Sequence, residues 1–273
     1  LGDVYKRQEF ALHHICDEFG PQLWDRVPIL YTCSAEPLIH AMSVDETSTP
    51  GDAPMDDSVG QAILDACTVV ACIAPHVHAE LHGSLVRLLD ALVRITQNEH
   101  MVLRSAGACC FSVLTKCITD KAMHVLVERI VPMLGDSTLL HRQGAMEVIS
   151  RTVRVQDERL LPYVLFLVVP VLGRMNDSDE SVRLLATNTF AELVKLVPLI
   201  HGLPDPPNFS AALLARREEE KAFLSQLLDG SKVEPYKVPV EMKVQLRPYQ
   251  QDGVSWMAFL ARYQLLSLIH ISE

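Results

Sequence analysis

The stretch Asn176-Asp177-Ser178-Asp179-Glu180-Ser181-Val182-Arg183-Leu184-Leu185-Ala186 decides how the rest of the chain is read. It sets acidic turn formers where a helix start leaves N–H groups unpaired, then runs into apolar residues at helical spacing. The same pattern stands twice upstream. Arg104, Arg142 and Arg183 follow one another at separations of 38 and 41 residues. Six positions before each lies Asn98, Asp136 or Asp177, and three after each lies Gly107, Ala145 or Ala186. Seven positions after each comes a large apolar residue, Phe111, Ile149 or Phe190. A Val-Pro pair recurs at Val131-Pro132 and Val169-Pro170, and Val27-Pro28 suggests an earlier copy.

Such a repeat reads as a two-helix unit. The Asp or Asn caps the second helix, the small residue admits a neighbouring helix, and the apolar residues face a shared core. One hairpin cannot bury its apolar face alone, whereas stacked hairpins bury it together. The pattern resembles HEAT repeats, whose period, first-helix proline and Asp…Val-Arg signature are matched best by Asp177…Val182-Arg183. The expected fold is therefore all-α, a HEAT-type α-solenoid. In it the three arginines are expected to be structural, pairing with the caps of adjacent repeats.

Composition fits that fold. The chain has 273 residues, 49% hydrophobic but only 6% aromatic, and a net charge of −10. Aliphatic helix packing suits so few aromatics better than a sheet does. The acidic balance argues against a protein whose main business is coating nucleic-acid backbone. No run of about 18 apolar residues is evident, so no membrane span is expected. All seven cysteines lie in the first half without a Cys-x-x-Cys pair, which reads as small buried side chains in a reduced intracellular protein. His78 and His82 would share a face if helical. The glutamate of His78-Ala79-Glu80-Leu81-His82 stands third rather than second, however, so the zinc-protease pattern fails and no metal site is expected.

The chain divides as follows. Residues 1–8 and 266–273 resemble translated sequencing adaptor, are read as scars, and do not visibly continue the adjoining helical pattern. Residues 9–200 form the repeat region, interrupted at 43–60 by a Pro/Ser/Thr/Asp-rich segment expected to be a flexible insertion. That insertion carries Asp45, Glu46, Asp52, Asp56 and Asp57 and no basic residue, half of the net charge. Residues 201–243 are a proline-containing connector with a helix from Ser210 to about Leu228, whose Arg216–Lys221 face is expected to be solvated. Residues 244–265 are different in kind.

There, Leu246-Arg247-Pro248-Tyr249-Gln250-Gln251-Asp252-Gly253-Val254-Ser255-Trp256-Met257 resembles the Q motif that opens SNF-type helicase-like ATPase domains. The family pattern is Leu-Arg/Lys-x-Tyr-Gln-x-x-Gly-Val-x-Trp-Leu/Met. Eight positions fit it: Leu246, Arg247, Tyr249, Gln250, Gly253, Val254, Trp256 and Met257. A glutamine amide offers one acceptor and two donors, so it can pair with adenine N6 and N7 together. The resemblance makes Gln250 the adenine reader, with Arg247 and Tyr249 beside it. Trp256, Met257 and Leu260 are expected to share the face that anchors the helix.

Repeats, proline connector, long helix and Q motif in this order are similar to the TATA-binding-protein-associated factors, SNF-type ATPases with N-terminal HEAT repeats. That resemblance implies a nuclear transcription regulator whose repeats grip TATA-binding protein and whose motor tracks promoter DNA, stripping the gripped protein off with ATP and Mg²⁺. No G-x-x-x-x-G-K-[ST] loop occurs in these 273 residues, so the cofactor site is incomplete here. This chain alone is not expected to hydrolyse ATP. The alternative is a free-standing HEAT scaffold or transport adaptor without ATPase activity.

Overall fold

The computed structural model describes residues 2–43, 57–156, 158–200, 203–206, 209–240 and 246–262. Among them there are helices and turns but no strand. The chain forms two compact units, Leu1–Tyr163 with Leu199–Asn208, and Val164–Pro198 with Phe209–Glu273.

The first unit holds α1 (Gly2–Phe19), α2 (Leu23–Arg26), α3 (Pro28–Ser34), α4 (Glu36–Ser43), α5 (Asp57–Ile73) and α6 (His82–Val86). It continues through α7 (Leu88–Ile95), α8 (Met101–Cys117), α9 (Thr119–Val125), α10 (Val131–Met133) and α11 (Leu139–Val155). The second unit holds α12 (Val164–Arg174), α13 (Glu180–Leu196), α14 (Ala211–Leu228) and α15 (Pro248–Arg262). In the first unit α4 packs on α7, and α5, α8 and α11 pack on one another in series, the layering of a HEAT-type α-solenoid. Phe111 and Leu114 of α8 and Val148 and Ile149 of α11 are fully buried, each stabilising by about 1.5–3 kcal/mol. The pair α4 and α5 takes the place of a further repeat ahead of Asn98, where the sequence pattern is blurred.

The three arginines behave alike, and they bind their own loops as well. Arg104 Nη1 donates to the carbonyls of Asn98 and Glu99, both at 2.8 Å. Arg142 Nη1 reaches the carbonyls of Asp136 (3.0 Å) and Ser137 (2.9 Å). Arg183 Nη1 reaches those of Asp177 (2.7 Å) and Ser178 (3.0 Å). Each guanidinium thus binds the carbonyls of its own loop. The reason lies in the position of the Asn or Asp. Its side chain accepts the N–H two residues on, from His100, Thr138 or Asp179, an Asx turn placed just before the helix. Its own N–H closes a turn on Ile95, Met133 or Arg174. The chain reversal turns two carbonyls toward the following helix, where only a cation with several donors can satisfy them at once. Within the first unit Arg104 also donates across repeats, from Nη2 to Gln143 Oε1 at 3.0 Å.

The small-residue position is confirmed, with an addition. Gly107, Ala145 and Ala186 are all buried, while Phe190 is only half-buried, unlike Phe111 and Ile149. Tighter still is Gly144, which the repeat alignment does not single out. A Cβ there would lie 1.8 Å from the Thr96 carbonyl oxygen, so the end of α7 touches the backbone of α11. Just past the far end of α11 Gln156 Nε2 donates to the Thr115 carbonyl of α8 at 2.6 Å, and Tyr163 donates its hydroxyl to Asp120 of α9 at 3.3 Å.

Four further expectations change. Helix α1 starts at Gly2, so the helical pattern does run through 2–8, since residues such as Lys6, Arg7 and Gln8 extend an existing helix cheaply. Ser43 and residues 57–60 are helical, which trims the expected insertion; 44–56 and 266–273 lie outside the described residues. Ser58–His76 has membrane-spanning length and a mean hydropathy of 1.5, although Ile63, Ala66, Cys67, Val70 and Ile73 are buried in this unit. The Val-Pro pairs are not equivalent: Val131-Pro132 follows a π-helical turn, Leu126–Ile130, whereas Pro170 sits inside α12. A proline lacks the N–H its helix needs, and a π turn is one way to absorb that.

The glycine contacts give a signed prediction. Gly→Ala inside a helix ordinarily gains about 1 kcal/mol, as expected for Gly173, around which nothing lies within 4 Å. At Gly144 the backbone overlap outweighs that gain by about 2 kcal/mol. Denaturant unfolding of Gly144→Ala and Gly173→Ala should therefore give shifts of opposite sign.

Candidate functional site

The second unit brings the last repeat, the long helix and the Q-motif helix together. Ser210 caps α14 by accepting the Leu213 N–H at 3.3 Å. Phe209, just before it, stacks on Phe166 of α12 with ring centroids 5.1 Å apart. Further along, Phe223 of α14 stacks on Phe259 of α15 at 5.5 Å, and Trp256 stacks on Phe259 at 5.4 Å.

The stripe buried on α14 differs from the expected one. Arg217 and Glu220 are buried while Glu218, Glu219 and Lys221 are exposed. Positions 217, 220 and 224 follow one another at three- and four-residue steps, so they share the face of Phe223 and Leu224. Arg216 Nε donates to Glu220 Oε1 at 2.8 Å, but Glu220 Oε2 makes no hydrogen bond among the described residues. Burial pushes the Glu220 carboxyl up to about 7, against the opposing pull of Arg216.

Helix α15 begins at Pro248, where the missing N–H costs nothing. Gln250 Oε1 accepts the Arg247 N–H at 3.0 Å, the return half of a capping box. Arg247, Tyr249 and Gln250 are all exposed and together at this helix start. The bond fixes the Gln250 amide while leaving its oxygen a second lone pair and its nitrogen two donors. Those groups fit the N6 and N7 edge of a purine. The sequence has no phosphate loop, and no group of three metal-ligating side chains occurs among the described residues.

The anchoring face also needs correction. Ser255, Phe259 and Leu260 are buried and Trp256 is half-buried, but Met257 is 54% exposed. One residue past Trp256 is a rotation of about 100°, which carries Met257 off the buried stripe. The missed residues are Gln251 and Ser255. Gln251 Nε2 donates to the Tyr236 carbonyl at 2.8 Å, and the Tyr236 N–H donates to Ser255 Oγ at 3.0 Å. Beside them a groove of about 430 Å³ is lined by Tyr236, Lys237, Ser255, Phe259 and Arg262.

The remaining candidates fall away or shift. His78 lies outside any helix and accepts the Glu80 N–H on Nδ1 at 3.3 Å, while His82 opens α6. Pro75 and the extended Val77 break the helix that would have aligned them. All seven cysteines are free thiols; Cys16, Cys67 and Cys110 are buried, but Cys33 and Cys109 are exposed, contrary to expectation. Cys109 faces a groove of about 450 Å³ formed by α5, α8 and α11, with exposed Met101 and Val102 on the same rim.

Glu220 makes the second unit sensitive to pH. A carboxyl raised in the folded state binds its proton more tightly there than in the unfolded chain. Stability therefore falls as pH rises from the usual carboxylate range to about 7 and is flat above that. Glu220→Gln should remove this fall and exceed the unsubstituted protein in stability at pH 8. Trp256 fluorescence during thermal unfolding, in a Trp24→Phe background, reads this unit alone.

Comparison with known proteins extends the picture. A family profile described as "Stalled ribosome sensor GCN1-like, HEAT repeats" matches residues 64–201. The chain is 45% identical over 260 residues to "TATA-binding protein-associated factor mot1" of Aspergillus fumigatus, covering 95% of this chain and 14% of the relative. It is 38% identical over 264 residues to "TATA-binding protein-associated factor 172" of Homo sapiens, covering 96% and 14%. It is 36% identical over 261 residues to "TATA-binding protein-associated factor MOT1" of Saccharomyces cerevisiae, covering 95% and 14%. The chain thus spans about one-seventh of the length of these relatives. Helix pairs, Asx turns and matched repeats agree: the chain belongs to the HEAT-repeat family, and its relatives are TATA-binding protein-associated factors.

Proposed function

We propose that this chain is the junction between a HEAT-repeat scaffold and the nucleotide-reading entrance of a DNA-dependent ATPase that removes TATA-binding protein from promoter DNA in the nucleus. The observation that carries this reading is the similarity over 95% of the chain, which takes in repeats and Q-motif helix together. In this role the repeats are the partner-binding scaffold and Gln250 reads adenine. The capping bond from the Arg247 N–H supports that assignment: a pre-oriented amide loses less freedom on binding a purine than a mobile one. ATP supplies the phosphoryl chemistry, and Mg²⁺ with a phosphate loop from the remainder of the full-length protein stabilises it.

The test uses the full-length protein. Its ATPase activity should be stimulated by DNA. Gln250→Ala should raise KM for ATP about tenfold, the scale of one lost discriminating amide pair, and leave the weak use of GTP unchanged. No DNA-stimulated ATPase, or unchanged preference for ATP over GTP in Gln250→Ala, would refute the reading in favour of a free-standing repeat scaffold.

A further inference from the structure

The Q-motif pattern leaves four positions of α15 open, occupied here by Pro248, Gln251, Asp252 and Ser255. Two of these do something the adenine-reading role does not use. Ser255 is 5% exposed, yet its hydroxyl is saturated. It donates to the Gln251 carbonyl at 2.8 Å, and it accepts the Tyr236 N–H at 3.0 Å and Gln251 Nε2 at 3.2 Å. Gln251 Nε2 also donates to the Tyr236 carbonyl at 2.8 Å. Both main-chain groups of Tyr236 are therefore paired by side chains of one helix, in a connector that belongs to neither helix nor strand. The Tyr236 residue itself is 44% exposed. The grip is on backbone.

Among the described residues the connector is also held upstream. Upstream, Asp229 accepts the Ser231 N–H at 3.2 Å, and Lys232 donates to Ser225 of α14 at 3.2 Å. The Phe223–Phe259 stack ties α14 to α15 directly, and the Phe209–Phe166 stack ties the start of α14 to α12. Consecutive residues of a helix project about 100° apart. The Gln250 amide at the exposed helix start and the Gln251 amide on the connector are thus neighbours serving two different partners. A turn of α15 about its axis would pull on Tyr236 through two hydrogen bonds.

We propose that Gln251 and Ser255 are positioning residues that clamp the connector to α15, so that movement of the helix bearing Gln250 is transmitted to α14 and the last repeat. The proposal rests on the reading of α15 as the nucleotide-reading helix and adds how nucleotide and scaffold communicate.

Two measurements test it. In this 273-residue chain the Tyr236 amide should exchange with solvent at least tenfold more slowly than the Val238 amide. Ser255→Ala should abolish that protection, Ser255→Thr should keep it, and Tyr236→Phe should keep it because the hydroxyl is not involved. In the full-length protein, Ser255→Ala and Gln251→Ala should leave kcat and KM for ATP within about twofold while slowing ATP-driven release of bound TATA-binding protein tenfold or more. Ser255→Thr should restore release. Tyr236→Pro deletes the same hydrogen bond without touching α15 and should reproduce the release defect. An unprotected Tyr236 amide, or release that falls only in proportion to ATPase rate, overturns the clamp. Absence of ATPase in the full-length protein instead defeats the nucleotide reading, and the exchange result then stands separately.

Discussion

A guanidinium donating to two consecutive loop carbonyls is the interaction on which the repeat geometry depends. Arg104 and Arg142 are almost wholly buried and Arg183 is half-buried. Hydrogen bonds involving a charged group contribute about 1.5–3 kcal/mol each, and a buried cation left without partners would cost more than that. The loop between the paired helices must therefore keep its Asx turn, because the turn presents the carbonyls. That fixes where the second helix begins and places Gly107, Ala145 or Ala186 against the first. The close contact of Gly144 with Thr96 follows from the same placement, since the Thr96 carbonyl sits just before the Arg104-bound loop.

The repeat was legible in sequence because it demands residue types at fixed offsets: an Asx residue at −6, a cation at 0, a small residue at +3. What those residues touch was not legible. An Asp six positions before an Arg is compatible with a cap or with an Asx turn, and only backbone direction separates the two. Burial of Arg217 and Glu220 was hidden by their neighbours. Six consecutive charged residues read as a solvated face, although two of them fall on the stripe continued by Phe223 and Leu224. Met257 was misplaced by one residue of helical rotation. The common face that His78 and His82 would have in a helix does not form, because Pro75 and Val77 interrupt the helix.

For the candidate site, the motif identified Gln250, Arg247 and Tyr249 but was silent about support. A motif marks the positions that a ligand requires, and the open positions between them are where a particular chain attaches its own scaffold. Gln251 and Ser255 occupy such positions and bind backbone, which leaves no residue-type signature at Tyr236. The buried Glu220 lies on the helix between the last repeat and α15, so its charge state acts on the same unit that carries the Q-motif helix.

Arginine and Asx turn form one energetic unit within each repeat. A double-mutant cycle on Asp136→Ala and Arg142→Met, measured by denaturant unfolding of this chain, tests it most directly. Coupling of about 1 kcal/mol or more between the two substitutions is the predicted result. Additivity within about 0.3 kcal/mol would instead show that the loop stands without the guanidinium.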